Sequence, residues 1–262
     1  GWAVGAKGTI LKTTNGGANW TPQVSGTTND LDAVAVSMWD GVTSGPPAQV
    51  WASGAGSTLL RSTDAGATWR PSARRAESFS SVKFLDAQRG WIAGSLGTIL
   101  RTVDGGNTWS PWTSAGVAHY ELPTGPFFTS VDFADAFNGW ALGWRGAIVA
   151  TTDGGATWVA QTSPFTVTWM TELNSVAAID SRRAWAVGHE TGYGDLILST
   201  ADGGATWTPQ AAANDASLTS VFFLDATTGW ALGQWGTVLR FVPNLPEHAY
   251  LPSVVKDWSN GR

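Results

Sequence analysis

The chain of 262 residues has no cysteine, two methionines (Met38 and Met170), three tyrosines and three histidines. Without cysteine there is neither a disulfide nor a thiolate metal site. Charged residues make up only 13% and the formal net charge is −5. That balance argues against nucleic acid, whose phosphates demand a basic face. No apolar run reaches about 18 residues, so no membrane-spanning helix is expected. No window longer than about ten residues shows a 3.6-residue apolar period, and glycine is spread through every segment. Helix is therefore not expected beyond a turn or two. The chain opens at Gly1 rather than Met, with no signal-like segment, and reads as processed or trimmed. A Trp- and Gly-rich sequence free of cysteine points to a secreted, extracellular or periplasmic protein.

What the chain does have is tryptophan, 17 in all, and eleven of these sit in a repeat. Five segments form one type of box: TTNGGANW (Thr13–Trp20), STDAGATW (Ser62–Trp69), TVDGGNTW (Thr102–Trp109), TTDGGATW (Thr151–Trp158) and TADGGATW (Thr200–Trp207). Upstream of each lies a Trp-x-x-Gly motif, starting at Trp2, Trp51, Trp91, Trp140 and Trp185; a sixth, at Trp230, has no box after it. Motif and box tryptophans are 18 residues apart in four units and 22 in the fifth.

One full unit, Ser81–Trp109, reads as four short strands a to d separated by Gly, Asp and Asn clusters. Glycine supplies positive φ in the c–d hairpin. Asp64, Asp104, Asp153 and Asp202 are placed to accept hydrogen bonds from the turn's own N–H groups, and Asn15 does the same in the first box. Four-stranded sheets recurring about every 46 residues bury their faces by stacking radially. The expected fold is all-β: a single β-propeller of four-stranded antiparallel blades, six of them, with five as the alternative. Residues 1–242 form the propeller and 243–262 a tail with one strand at 250–256. The first unit lacks strand a and the last lacks strand d.

The unit SVxF…DAxxGWAxG…GTILRTxDGGxTW, clearest in Gly90–Trp109, resembles the photosystem II stability and assembly factor family of Asp-box (BNR-type) propellers. The resemblance implies a non-enzymatic protein-binding scaffold that needs no cofactor. Asp boxes also occur in sialidases and endoglucanases. A sialidase needs an arginine triad and a Tyr–Glu nucleophile pair, and the arginines here do not recur at equivalent repeat positions. The box aspartates sit one per unit, whereas glycosidase carboxylates must face one bond about 5–10 Å apart. The chain is therefore read as not an enzyme.

Strand parity puts the a–b turns and the boxes at one end of each sheet, and the b–c turns and d–a connectors at the other. Of the six tryptophans outside the repeat (Trp39, Trp112, Trp144, Trp169, Trp235 and Trp258), four map to the b–c end. Trp144 and Trp235 are placed on b–c turn tips, where other units have Lys7 or Leu96. With Trp112, Tyr120, Arg145, Trp169, His189 and Tyr193 they define an expected face for a protein partner, with a glycan as alternative ligand. His189, Glu190 and Asp195 lack the regular spacing of a cation loop, and no metal is expected. The strand deficit raises a further alternative, a self-assembling extracellular filament or surface-layer subunit. Its tail, through Tyr250, Leu251, Val254 and Val255, would add a strand to the next molecule.

Overall fold

The structure, a computed structural model, describes residues 1–37, 49–72, 78–111, 127–164, 171–192, 194–210 and 217–241. These form 22 strands in six antiparallel sheets, and no α-helix. Sheet one is β1 (Trp2–Gly5), β2 (Thr9–Lys12) and β3 (Thr21–Gln23); sheet two is β4 (Leu31–Ser37), β5 (Gln49–Gly54), β6 (Thr58–Ser62) and β7 (Arg70–Pro71). Sheet three is β8 (Phe79–Phe84), β9 (Gly90–Gly94), β10 (Ile99–Thr102) and β11 (Ser110–Pro111). Sheet four is β12 (Phe128–Phe133), β13 (Gly139–Gly143), β14 (Ile148–Thr151) and β15 (Val159–Ala160). Sheet five is β16 (Thr171–Ala178), β17 (Ala184–Glu190), β18 (Gly194–Thr200) and β19 (Thr208–Gln210); sheet six is β20 (Leu218–Asp225), β21 (Thr228–Gly233) and β22 (Val238–Arg240). Strand a of the first unit and strand d of the last are missing among the described residues, as the sequence predicts. The residues group into two compact units, sheets one to three and sheets four to six, with the boundary between Val131 and Asp132 inside β12.

Each sheet is built by coupled choices across strands a and b. Phe84 pairs with Gly90 and Phe223 with Gly229. A Cβ on Gly90 would lie 2.6 Å from the Phe84 ring, and one on Gly139 or Gly229 would meet Phe133 or Phe223 in the same way. Where strand a has no phenylalanine, strand b has no glycine: Val36 faces Val50, and Ala178 faces Ala184. An aromatic ring thus covers the bare backbone of the glycine opposite. At the other end of strand b the motif glycine serves close approach. A Cβ on Gly54, Gly94 or Gly188 would collide with the carbonyl oxygen of Asp30, Ser78 or Glu172 on strand a. There strand a carries a bulge, at Leu31/Ala33, Phe79/Ser81 and Leu173/Ser175, and the bulge draws the two backbones together. Gly5 meets nothing within 4 Å, because sheet one has no strand a.

Strand d is shorter than the sequence suggests, two or three residues that begin after the box tryptophan. Pro22, Pro71, Pro111 and Pro209 occupy it. Proline offers no N–H to a further strand, so these outer edges are blunted against pairing.

Within each unit neighbouring sheets meet through aromatic rings. Trp51 of sheet two stacks on Phe84 of sheet three at 5.2 Å, and Trp109 closes the group edge-on at 5.7 and 5.9 Å. Sheet six has no box tryptophan, yet the same group recurs. Trp185 stacks on Phe223 at 5.8 Å, and Phe241 stands where the indole would be, 4.9 Å from Trp185. Such contacts add about 0.5–1.5 kcal/mol each beyond area burial. Of the eleven repeat tryptophans expected in the core, Trp51, Trp69, Trp91, Trp140, Trp158 and Trp207 are buried, and Trp2, Trp109, Trp185 and Trp230 are half-buried. Trp20 departs from the expectation at 43% exposed. Trp109, by contrast, packs against Phe84 of its own strand a and against Trp51 of the preceding sheet, and among the described residues sheet one has no strand a.

Two stability tests follow from this packing. Gly90→Val is expected to cost about 2–3 kcal/mol by overpacking against Phe84. The double variant Phe84→Val/Gly90→Val copies the Val36–Val50 pair and should fall at least about 1 kcal/mol short of the summed single costs in a urea-unfolding cycle. Separately, Trp207 Nε1 donates to Gln161 at 2.8 Å, whereas Trp109 Nε1 is buried without an acceptor. Ser72 holds the position in sheet two that Gln161 holds in sheet four, each donating its N–H to strand c (Leu59 and Ile148). Ser72→Gln is expected to stabilise by about 1 kcal/mol, read as a higher urea midpoint.

Candidate functional site

The box end is tied together by its own hydrogen bonds. Gly105, Gly154 and Gly203 donate their N–H to the carbonyls of Gln88, Phe137 and Arg182 in the a–b turns, at 2.8–2.9 Å. This puts boxes and a–b turns at the same end, as strand parity predicts. Asp104 accepts from Thr102 Oγ1 at 2.8 Å, from the Thr108 N–H at 2.9 Å and from Thr108 Oγ1 at 2.6 Å. Asp64, Asp153 and Asp202 repeat the pattern with Ser62 and Thr68, Thr151 and Thr157, Thr200 and Thr206. Asn15 keeps part of it, accepting from Thr13 Oγ1 at 3.0 Å and the Asn19 N–H at 2.9 Å.

The threonine hydroxyls, followed by the backbone N–H groups of the same residues, lower Asp64, Asp104 and Asp202 to about 2. Hydrogen bonds that favour the charged form lower a carboxyl pKa. These groups hold no proton to donate near neutrality, and their oxygens are engaged within the turn.

At the opposite end, five b–c connections are the same two-residue turn with two consecutive positive φ angles. The central pairs are Lys7–Gly8 (55° and 70°), Gly56–Ser57 (60° and 61°), Leu96–Gly97 (56° and 71°), Arg145–Gly146 (62° and 65°) and Trp235–Gly236 (60° and 72°). This is the type I′ hairpin turn, which favours Asn-Gly. A bulky residue at its first position carries about 1–2 kcal/mol of strain. Trp235 takes that position at ψ 24° and is 88% exposed. Trp144 does not share it, contrary to the sequence expectation. It precedes Arg145, in the place of Ala6, Ser95 and Gln234, and its carbonyl accepts the Ala147 N–H at 3.3 Å. Trp144 is 49% exposed.

Sheet five differs. Its b–c hairpin continues through Glu190 before turning, and strand a lengthens to meet it, pairing Thr171 with Glu190 and Glu172 with His189. His189 also faces Asp195 on β18. His189 Nε2 stands 3.9 Å from Glu172 Oε2, and Thr171 Oγ1 donates to Glu190 Oε1 at 3.3 Å. Trp144 forms a bridge with Glu172. Trp144, Arg145, His189 and Trp235 thus all lie at the b–c end of the second unit. Among the described residues no group of three or more His, Asp or Glu is placed to hold a metal ion. Glu172 is the residue sequence reasoning missed. The signal was there, since TELNSVAAID has extra residues before its strand-a core, matching the extra residues of HETGYGD. Trp112, Tyr120, Trp169 and Tyr193, and Tyr250, Leu251, Val254 and Val255 of the tail, lie outside the described residues.

The box carboxylates have folded pKa values below the unfolded value of about 3.9. Their contribution to stability is therefore complete above that value and is lost as pH falls toward 2. The urea midpoint is expected to hold from pH 7 to about 5 and drop between about 4 and 2. Asp104→Asn is expected to flatten part of that drop.

The chain shares its fold with three solved structures. YCF48 from Cyanidioschyzon merolae is 23% identical at TM-score 0.59, with 86% of this chain and 71% of that one covered. YCF48 bound to D1 peptide is 18% identical at TM-score 0.52, covering 93% and 88%. The GH74 xyloglucanase from Xanthomonas campestris is 16% identical at TM-score 0.67, covering 93% of this chain but only 42% of its own. At these identities the likeness is one of fold, the β-propeller, here with six blades. No curated protein is significantly similar. The family model described as photosynthesis system II assembly factor YCF48 matches residues 33–103 and 111–209. Matched over well more than half its length, the chain belongs to that assembly-factor family.

Proposed function

We propose that this chain is a non-enzymatic binding scaffold that engages a protein partner at the b–c end of its second unit. One observation carries the reading: Trp235, 88% exposed, sits at a backbone conformation that disfavours a large side chain. A strained, solvent-facing indole on a rigid sheet is a cost to the folded chain alone and is best explained by what it contacts. Trp144 supplies a second indole at the same end. Exposed tryptophans on a rigid frame make efficient anchors, since little side-chain entropy is lost on binding. The solved YCF48 with its D1 peptide, together with family membership, supports a peptide-like partner. Against catalysis stand the box carboxylates, spread one per sheet and held near pKa 2 in three of them, where neither a general acid nor a facing pair is available. A location outside the cytoplasm is part of this proposal, since a chain with no cysteine and two methionines offers few thiol or thioether groups to oxidation there.

The test is titration of the chain with a D1 peptide, followed by tryptophan-independent calorimetry. Trp144→Ala/Trp235→Ala is expected to weaken binding about a thousandfold, as loss of two anchors worth about 2 kcal/mol each would. The urea midpoint should be unchanged or slightly higher. Unchanged affinity in a folded double variant refutes the placement.

A further inference from the structure

Resting on that reading, the geometry of sheet five points to the chemistry of the partner. Here β16, β17 and β18 extend past the level at which the other sheets turn. Glu172, His189 and Asp195 stand side by side on three adjacent strands, and directly opposed residues share a face of the sheet. Glu190 lies one residue further along, its carboxylate receiving Thr171 Oγ1 at 3.3 Å. Asp195 Oδ1 accepts the Leu218 N–H of sheet six at 3.1 Å, which fixes that end of the row to its neighbour. At the other end the Trp144 bridge to Glu172 fixes the row to the turn of sheet four. The result is a raised rim with an exposed indole on the turn of the sheet to either side. Among the described residues at the b–c end of the second unit, the carboxylates of Glu172, Glu190 and Asp195 stand against one guanidinium, that of Arg145.

We infer that this rim takes an extended peptide segment bearing lysine or arginine side chains. Their cationic heads pair with Glu172 and Glu190, while the indoles of Trp144 and Trp235 cover their aliphatic stems. Two features of the site favour a cation. Carboxylates outnumber cations at the rim, so a positive guest lowers their mutual repulsion. Exposed indole faces attract ammonium and guanidinium groups, Arg more often than Lys. His189 stands between two of the acids, with Nδ1 buried and without a hydrogen-bond partner. Its Nε2 lies 3.9 Å from Glu172 Oε2, so the imidazole belongs to the same row.

The probes are short labelled peptides of alternating serine and lysine, with serine–glutamate and serine–glutamine counterparts, read by fluorescence anisotropy on the full chain. At about 50 mM salt the lysine peptide is expected to bind at least tenfold more tightly than the other two, and to lose most of that margin at about 500 mM. Glu172→Gln/Glu190→Gln should weaken it about three- to tenfold, as two partly exposed ion pairs would. Asp225→Asn, an equal kind of charge change at the box end of the same unit, should leave it within twofold. Equal binding of all three peptides overturns the inference, as does equal loss from Asp225→Asn, which would mean attraction to net charge alone. A xyloglucan oligosaccharide that binds where the lysine peptide does not would assign the rim to glycan and overturn it too. If the indole variants abolish D1-peptide binding while the carboxylate variants change nothing, the protein-binding reading stands and the cationic one falls. If the indole variants change nothing in either assay, both fall.

Discussion

In the first unit neighbouring sheets hold each other through an indole laid across the next sheet's glycine turn. Gly66 lies against Trp2, and Gly106 against Trp51. The partners are 64 and 55 positions apart in sequence and belong to successive repeats. A side chain on the turn would push the ring out, and loss of the ring would expose the turn. The box glycines therefore do two things at once. They supply the positive φ of the hairpin, and they offer a flat platform that only a bare backbone can make. At sheet three this contact adjoins the aromatic group of Trp51, Phe84 and Trp109, so short strands are supported by packing between sheets as well as within them.

Much of this was legible in the sequence, because the repeat is a repeat of contacts. Strand number, the deficits at the first and last sheets, the hairpin role of the box aspartates and the end at which the boxes lie all follow from residue types at fixed spacing. What escaped the sequence were relations between units. The Phe84–Gly90 pairing looks like two unrelated residues until the register is known. Phe241 sits in no box, and nothing local marks it as the replacement for an absent tryptophan. Trp20 matches its motif, yet its environment is set by partners that sheet one does not have. Trp144 and Trp235 both fall in b–c turns, yet they stand four and five residues after their motif tryptophans, and only Trp235 is in the left-handed region.

The site was legible only in part, for a related reason. Exposed tryptophans at non-repeat positions could be sorted to one end by counting strands. The carboxylate of Glu172 could not, since it is brought to His189 by an elongated strand a whose extra residues resemble ordinary connector. The two ends of the sheets are therefore different in kind. At the box end the polar groups answer one another within each turn, and little is left for a guest. At the b–c end the turns are tight and carry their variation outward as Lys7, Leu96, Arg145 and Trp235 on one shared backbone shape. A common frame with interchangeable tips lets recognition change without disturbing the sheets below.

The ring-over-glycine partnership across strands a and b also bears on how such repeats can be inherited. Phe84 and Gly90 are separated by a short turn, as are Phe133 and Gly139, while Val36 and Val50 stand 14 positions apart in the sequence. A recombination event that breaks within that interval would join a phenylalanine to a valine, or leave a glycine facing an alanine. Crossovers that fall between repeats, in the d–a connectors, keep both members together.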